Sequence, residues 1–356
     1  MASFENLVLI QTILTRYILV LCSLLGLLGS LFNLLVFCQK RFRSNACSIY
    51  FRATSIFNIL VILLGITPVL LTSFLPNEPF FTTSLFCKTR AYITHVFLMM
   101  SRSSVALACI DRFALCSPSA HIRRLNQPRL AIILLANVVC LWLIIPIHII
   151  IYTDIQLPER RCGASGIYSI IYSSYAATVT VIPLIIMLLF SCWTIKNLRN
   201  TRGRIHSHEI IIDTFGNLPG RLRGRDFQLR SMLMGEVIVY LLSTVWFPIY
   251  SIYVAITSNT LKSTNRLMIE GFVRYLVLSF LIFLNSCSLF YVHLLTSKVF
   301  RRECQQLIRR WYQSNRTTPS TTFEEKNIRR QLNNIYQRPF KDIIPKNNLR
   351  MNPLFH

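Results

Sequence analysis

Apolar side chains in this chain gather into seven blocks of about twenty residues or more, separated by polar stretches that hold most of the Lys and Arg. A helix of that length matches a hydrocarbon core about 30 Å thick, because each residue advances it by about 1.5 Å. The pattern predicts spanning helices over Tyr17–Gln39, Ser48–Thr72, Phe86–Phe113, Arg129–Tyr152, Tyr168–Ile195, Ser231–Ala255 and Glu270–Leu295. In the third block Cys87 stands at one rim and Asp111-Arg112-Phe113 at the other. The rise per residue puts Cys87 and Arg112 roughly 37 Å apart, on opposite sides of the core. After the seventh block, Phe300, Cys304, Leu307 and Ile308 fall on one helical face among basic residues, which predicts an amphipathic helix on the membrane surface.

The positions of Lys and Arg orient the blocks. The regions at the ends of the first, third and fifth blocks carry Lys40, Arg41 and Arg43, then Arg112, Arg123, Arg124 and Arg129, then Lys196, Arg199, Arg202, Arg204, Arg221, Arg223, Arg225 and Arg230. The alternate loops mix fewer bases with acids, as with Lys88 near Glu78 and Arg160 near Glu159. The positive-inside rule then puts the N-terminus outside and the C-terminus in the cytoplasm. The expected division is an outer N-terminus at 1–16, the seven-span domain at 17–295, the surface helix at 296–312 and a disordered cytoplasmic tail at 313–356. Met1 to Gln11 has no basic leader, so the first span is expected to serve as its own insertion signal.

Composition agrees. Of 356 residues only 15% are charged, against about 25% in soluble domains, and mean hydropathy is +0.48. The net charge of +24 would suit nucleic acid, but its place between and after the apolar blocks marks a cytoplasmic membrane face, and no nucleic-acid partner is expected. The fold class is an all-α membrane protein, a seven-transmembrane helix bundle, with membrane lipids as its surroundings.

Of the eleven cysteines, this topology leaves only Cys87 and Cys162 outside the bilayer in an oxidising compartment, so a disulfide between them follows almost by elimination. Cys304, on the apolar face of the surface helix, is a candidate lipidation site. The hydroxyl-rich stretch Ser314–Thr322 offers phosphorylation sites whose negative charge would suit a basic partner, and reads equally well as a solvated linker. Arg102 lies near mid-membrane, where an unpaired charge costs at least about 3 kcal/mol. It must turn into the bundle, and the sequence offers Asn58, Asn285, Ser101 and Glu236 as partners. Trp246, Tyr250 and Tyr253 recur at i, i+4 and i+7, an aromatic stripe leading outward from Pro248, which removes a backbone bond and kinks the sixth helix. The pattern disfavours two function classes. A transporter or channel should show internal repeats, broken helices or rows of intramembrane charge, and the chain has no repeat and one mid-span cation. An enzyme needs paired carboxylates or a His/Asp cluster, whereas Glu236, His95, His148 and His293 stand singly on different helices. No catalytic residue, metal or cofactor is expected.

Taken together the motifs resemble those of the rhodopsin-like (class A) G protein-coupled receptors, across all seven helices. The residues that carry the likeness are Asn33, the pair Cys87 and Cys162, Asp111-Arg112-Phe113 for the family's Asp/Glu-Arg-Tyr, Trp142, Pro183, and Trp246-Phe247-Pro248 for its Cys-Trp-x-Pro. The resemblance implies a plasma-membrane receptor that binds an extracellular ligand and activates a heterotrimeric G protein. Arg112 would be held by Asp111 at rest and freed as the sixth helix swings outward, with Trp246, Pro248, Pro183, Asn285, Arg102 and Asn58 as switch residues. The sequence departs from the family at several points. Asn58 stands where relatives carry an Asp in the sodium pocket, Phe290 and His293 replace the proline and tyrosine of Asn-Pro-x-x-Tyr, and Ser191 replaces a tyrosine low in the fifth helix. With the Asp missing, the Arg102 guanidinium is expected in the sodium cavity.

Thr94, followed by His95, stands where amine receptors carry an Asp, and the seventh span has no Lys for a retinal Schiff base. The basic and tyrosine-rich outer mouth suits a peptide with acidic or carbonyl groups, and the chain is similar to invertebrate neuropeptide receptors of the FMRFamide kind. Arg90, Thr94, His95, Tyr175, Tyr250 and Tyr253 are the candidate pocket residues.

Overall fold

The computed structural model of the chain describes residues 2–39, 42, 45–75, 83–156, 161–208, 220–257 and 260–316. Among the described residues seven helices are long and apolar enough to cross a membrane: α1 (Glu5–Phe37), α2 (Ala46–Phe74), α3 (Ser84–Cys116), α4 (Pro128–Tyr152), α5 (Gly166–Arg199), α6 (Leu229–Val254) and α7 (Thr264–Thr296). A further helix, α8, covers Lys298–Arg316. In lipid every backbone N–H and C=O must find a partner within the protein, and a helix provides this within one segment.

Local chemistry sets the ends and bends. The Thr83 hydroxyl accepts from the Phe86 N–H at the start of α3, and Asn45 Oδ1 accepts from the Cys47 N–H at the start of α2. Pro128 opens α4, where its missing N–H would be unpaired in any case. Proline also bends the spans. A π-turn over Ile62–Ile66 precedes Pro68 in α2, and α6 breaks at Val245 between helical pieces Gly220–Thr244 and Trp246–Ile256. Pro248 accounts for that break, since it lacks a donor and its ring meets the carbonyl of Thr244.

Several spans run beyond the limits read from hydropathy. Helix begins at Ala2, so residues taken as an outer N-terminus continue straight into α1. The helix of α5 extends over Gly166–His208, so basic residues assigned to the long loop, Lys196 and Arg199 among them, sit on a helical extension instead. Hydropathy marks only the lipid-facing part of a helix, and a helix can outrun the bilayer. Residues 209–219 of that loop lie outside the described residues.

α3 lies at the centre: 61% of its most apolar stretch is buried, against 17% for α4. Its neighbours are α2, α4 and α5, while α1 and α6 flank α7. Where α1 meets α7 the backbones touch. A Cβ on Gly26 would sit 2.7 Å from the Cys287 Cα, and one on Gly29 would sit 2.7 Å from the Phe290 Cβ. Small residues are how membrane helices approach this closely. Between α4 and α5, strands β1 (Thr153–Gln156) and β2 (Arg161–Ala164) form an antiparallel hairpin with Ile155 opposite Cys162.

Residues 1–304 form one compact unit and residues 305–356 a second. In the second, Ile308, Trp311 and Tyr312 are exposed on the helix that also carries Arg309 and Arg310, an apolar and basic combination that suits a membrane surface.

Candidate functional site

At one end of α3 the structure builds a buried charge cluster. Arg112, 2% exposed, gives its Nη2 to Asp111 Oδ2 at 2.6 Å, and its Nε approaches the same oxygen at 3.2 Å. The Arg112 Nη2 also donates to Asn45 Oδ1 at 3.0 Å. Asn126, just before α4, donates to the other Asp111 oxygen at 2.7 Å. The cap of α2, the foot of α3 and the approach to α4 thus converge on one ion pair. Removing one partner of a pair buried to this degree strands the other charge, at a cost of about 3–5 kcal/mol. Phe113 faces away from this cluster, its ring 5.2 Å from Phe190 and 5.7 Å from Trp193 on α5.

At the opposite end Cys87 and Cys162 are joined, their Cα atoms 5.5 Å apart, which fastens the hairpin to the top of α3. Lys88 and Asp154 reinforce the tie at 3.5 Å. The exposed Asp154 carboxyl is held below its usual range, chiefly by the Ser84 hydroxyl, then by the Ile155 N–H and Lys88. Between the two ends, Trp142 of α4 donates its indole N–H to Ser103 at 2.8 Å, and Ser101 donates to Asn58 at 2.7 Å.

The family described as 7 transmembrane receptor (rhodopsin family) matches residues 29–288, well over half of the chain. The chain belongs to that family. It is a multi-pass membrane receptor and not an enzyme. No curated protein matches it.

Against the receptor's fold, three expectations change. Arg102 does not enter the cavity beside Asn58. Neighbouring helix positions point about 100° apart, Ser101 takes the direction toward α2 and Asn58, and Arg102 turns to α5 and α6. There its Nη1 donates to Thr180 Oγ1 at 3.5 Å, and its Cζ stands 5.2 Å from the Tyr240 ring. Asn285 does not reach it either, and that residue is half-buried on α7 with its carbonyl accepting from Ser288.

Trp246 faces outward, 51% exposed. The buried side of α6 carries Val237, Tyr240, Thr244 and Ser251, and Trp246 falls about 200° around the helix from Thr244. Its indole N–H is met by the Leu242 carbonyl at 3.0 Å, so the ring can sit in lipid without an unpaired donor. Pro248 and Tyr250 are half-buried, and Pro183 is buried within α5.

The six candidate pocket residues do not form one cluster. His95 and Tyr175 meet at 3.2 Å, and Tyr175 packs edge-on to His148, with ring centroids 4.6 Å apart. His148 in turn bonds the Tyr168 hydroxyl at 2.8 Å. This chain of His and Tyr from α3, α4 and α5 was not legible as a group, because its members lie up to 80 positions apart. Thr94 points elsewhere, against Gly65 of α2. Arg90 lies over the Phe86 ring at 6.0 Å. Tyr253 is engaged with the start of α7: its hydroxyl donates to Glu270 at 2.6 Å and accepts from Arg266 at 2.9 Å.

His293, standing where the family has a tyrosine, is fully buried among the rings of Phe37, Phe51 and Phe300. Its Nδ1 meets Asn33 Oδ1 at 3.2 Å, and its Nε2 stands 3.8 Å from Glu236 Oε2 on α6. Glu236 and His293, read singly from the sequence, are therefore partners. Ser191 approaches the Cys109 sulfur at 3.8 Å. Cys304 is buried, and burial followed by Glu303 pushes its thiol up to about 11, so acylation there would require the helix to lift. Arg160 and Thr317–Thr322 lie outside the described residues.

Proposed function

We propose that the protein is a plasma-membrane receptor that takes up an extracellular peptide in the half of the bundle near the disulfide and activates a heterotrimeric G protein at the Arg112 end. The observation that carries this reading is the buried Asp111–Arg112 pair at the foot of the central helix. A guanidinium locked to a carboxylate and to the cap of α2 is a two-state element: held, it closes the cytoplasmic face, and released, it is a free cation at the mouth of a cleft. The broken α6, with Pro248 just past the break, supplies a pivot for outward motion of its cytoplasmic half. A ligand bound at the disulfide end needs only to favour one arrangement of the bundle to shift that equilibrium.

The His95–Tyr175–His148–Tyr168 chain supports a ligand rich in carbonyl groups, since hydroxyls and imidazoles donate to such groups without demanding a full charge. The Lys and Arg residues near the outer mouth, Lys262 and Arg266 among them, suit a neuropeptide with acidic or carbonyl groups. Phosphorylation of Ser314–Thr322 by a receptor kinase, followed by arrestin binding, completes the proposed cycle.

The test is nucleotide exchange on G proteins in membranes carrying wild-type receptor or Arg112→Ala, with a neuropeptide library as the ligand source. Loss of ligand-dependent exchange in the variant at equal surface expression is the expected result. Full exchange by Arg112→Ala, or no exchange by wild type with any peptide and any Gα class, would remove the proposal.

A further inference from the structure

Arg102 is 3% exposed at the middle of α3, and its Nε and Nη2 have no hydrogen-bond partner among the described residues. Its neighbours are neutral: Met99 sulfur at 3.9 Å, the Thr180 hydroxyl at 3.5 Å, and Tyr240, whose ring centroid lies 5.2 Å away and whose hydroxyl also interacts with the guanidinium. Among the described residues no carboxylate lies within 4.0 Å of it. Glu236 lies one turn along α6 from Tyr240 but is turned to His293 at 3.8 Å. Arginine does not relieve such a position by losing its proton, so a fixed positive charge persists inside the bundle. The Tyr240 hydroxyl is also committed, donating to the Thr180 carbonyl at 3.1 Å.

We infer that α3, α5 and α6 enclose a binding site for a small monovalent anion of chloride size, held by Arg102 Nε and Nη2 with Thr180 and Tyr240 as its walls. One charge is needed, because a single guanidinium is to be neutralised and a divalent oxyanion would leave an excess negative charge in the same low-dielectric space. The burial of Arg102 favours an inorganic ion over the carboxylate of a bound peptide, which would have to bring a chain with it. A weakly hydrated anion gives up least on leaving water. The guanidinium is itself weakly hydrated, and the Thr180 hydroxyl, which accepts from Arg102 Nη1, can turn its own proton to the anion. Because the site ties the central helix to α5 and α6, the anion stabilises the bundle independently of ligand or G protein.

The experiment is thermal melting of the purified full-length receptor in chloride, bromide or gluconate at fixed ionic strength. The receptor is expected to melt about 4 °C higher in chloride or bromide than in gluconate, with a saturable dependence, and Arg102→Met should melt equally in all three. Equal melting of wild type in the three salts overturns the site. So does a chloride dependence that survives Arg102→Met, since the anion would then act elsewhere. Should Arg102→Met fail to fold, bromide anomalous diffraction from the wild-type receptor decides: a peak in contact with Arg102 supports the site, and an empty position overturns it.

Discussion

Glu236 on α6 and His293 on α7 face each other with Oε2 and Nε2 3.8 Å apart, and neither atom has a hydrogen-bond partner among the described residues. Both side chains are almost fully buried. This contact is a polar meeting point between α6 and α7. Each single change, Glu236→Leu or His293→Phe, leaves the other group buried alone and should cost about 3 kcal/mol. The double variant should recover much of that loss, giving a coupling of at least about 1 kcal/mol in a melting-based cycle. Strictly additive losses would show that the two residues do not act together.

Asp111→Asn keeps the shape of the Arg112 partner but removes its charge. With Asn45 and Asn126 still in place, Arg112 should spend more time released, and basal nucleotide exchange should rise several-fold without ligand. Basal exchange at or below the wild-type level, at matched surface expression, would argue against a restraining role for Asp111.

The contact between α1 and α7 leaves no room for a methyl group. A Cβ at Gly26 would come within 2.7 Å of backbone in α7, which cannot move aside as a flexible side chain does. Gly26→Val should therefore destabilise the bundle by about 1–3 kcal/mol or more, read as a lower melting temperature and reduced surface expression. Substitution at Gly271, whose Cβ would meet nothing within 4 Å, is the control expected to be silent.

The tie between Asp154 and the top of α3 is exposed, and the carboxyl is held below its usual value, first by Ser84. A carboxyl depressed on folding stabilises the fold above its unfolded value of about 3.9 and stops doing so as pH falls through its lower folded value. Protease resistance of the hairpin should therefore stay flat from pH 8 to about pH 5 and weaken only in stronger acid. Asp154→Asn should remove that acid-side change. A transition near neutrality would have to come from another group.

Burial limits the chemistry of Cys304. With its thiol pushed up to about 11, little thiolate exists at neutral pH, and maleimide labelling at that position should be slow until the helix is displaced by detergent or denaturant. Rapid labelling in intact membranes would mean that the surface helix lifts readily.

The seven spans and the class of the protein could be read from the chain because a helix that crosses lipid must be predominantly apolar over about twenty residues, and that signal is local in sequence. The same holds for Asp111-Arg112, adjacent in the chain, and for Cys87 with Cys162, which compartment alone singled out. What the sequence could not supply was direction around each helix once seven of them pack. Arg102 and Ser101 are neighbours, yet α2 claims one and α5 and α6 the other. Trp246 and Tyr240 share a helix, but one faces lipid and the other is buried. His95 found Tyr175, and Glu236 found His293, only because α3 met α5 and α6 met α7. A buried polar group takes whichever partner the packing brings within about 3–4 Å, and partners so chosen lie on different helices, far apart in the chain.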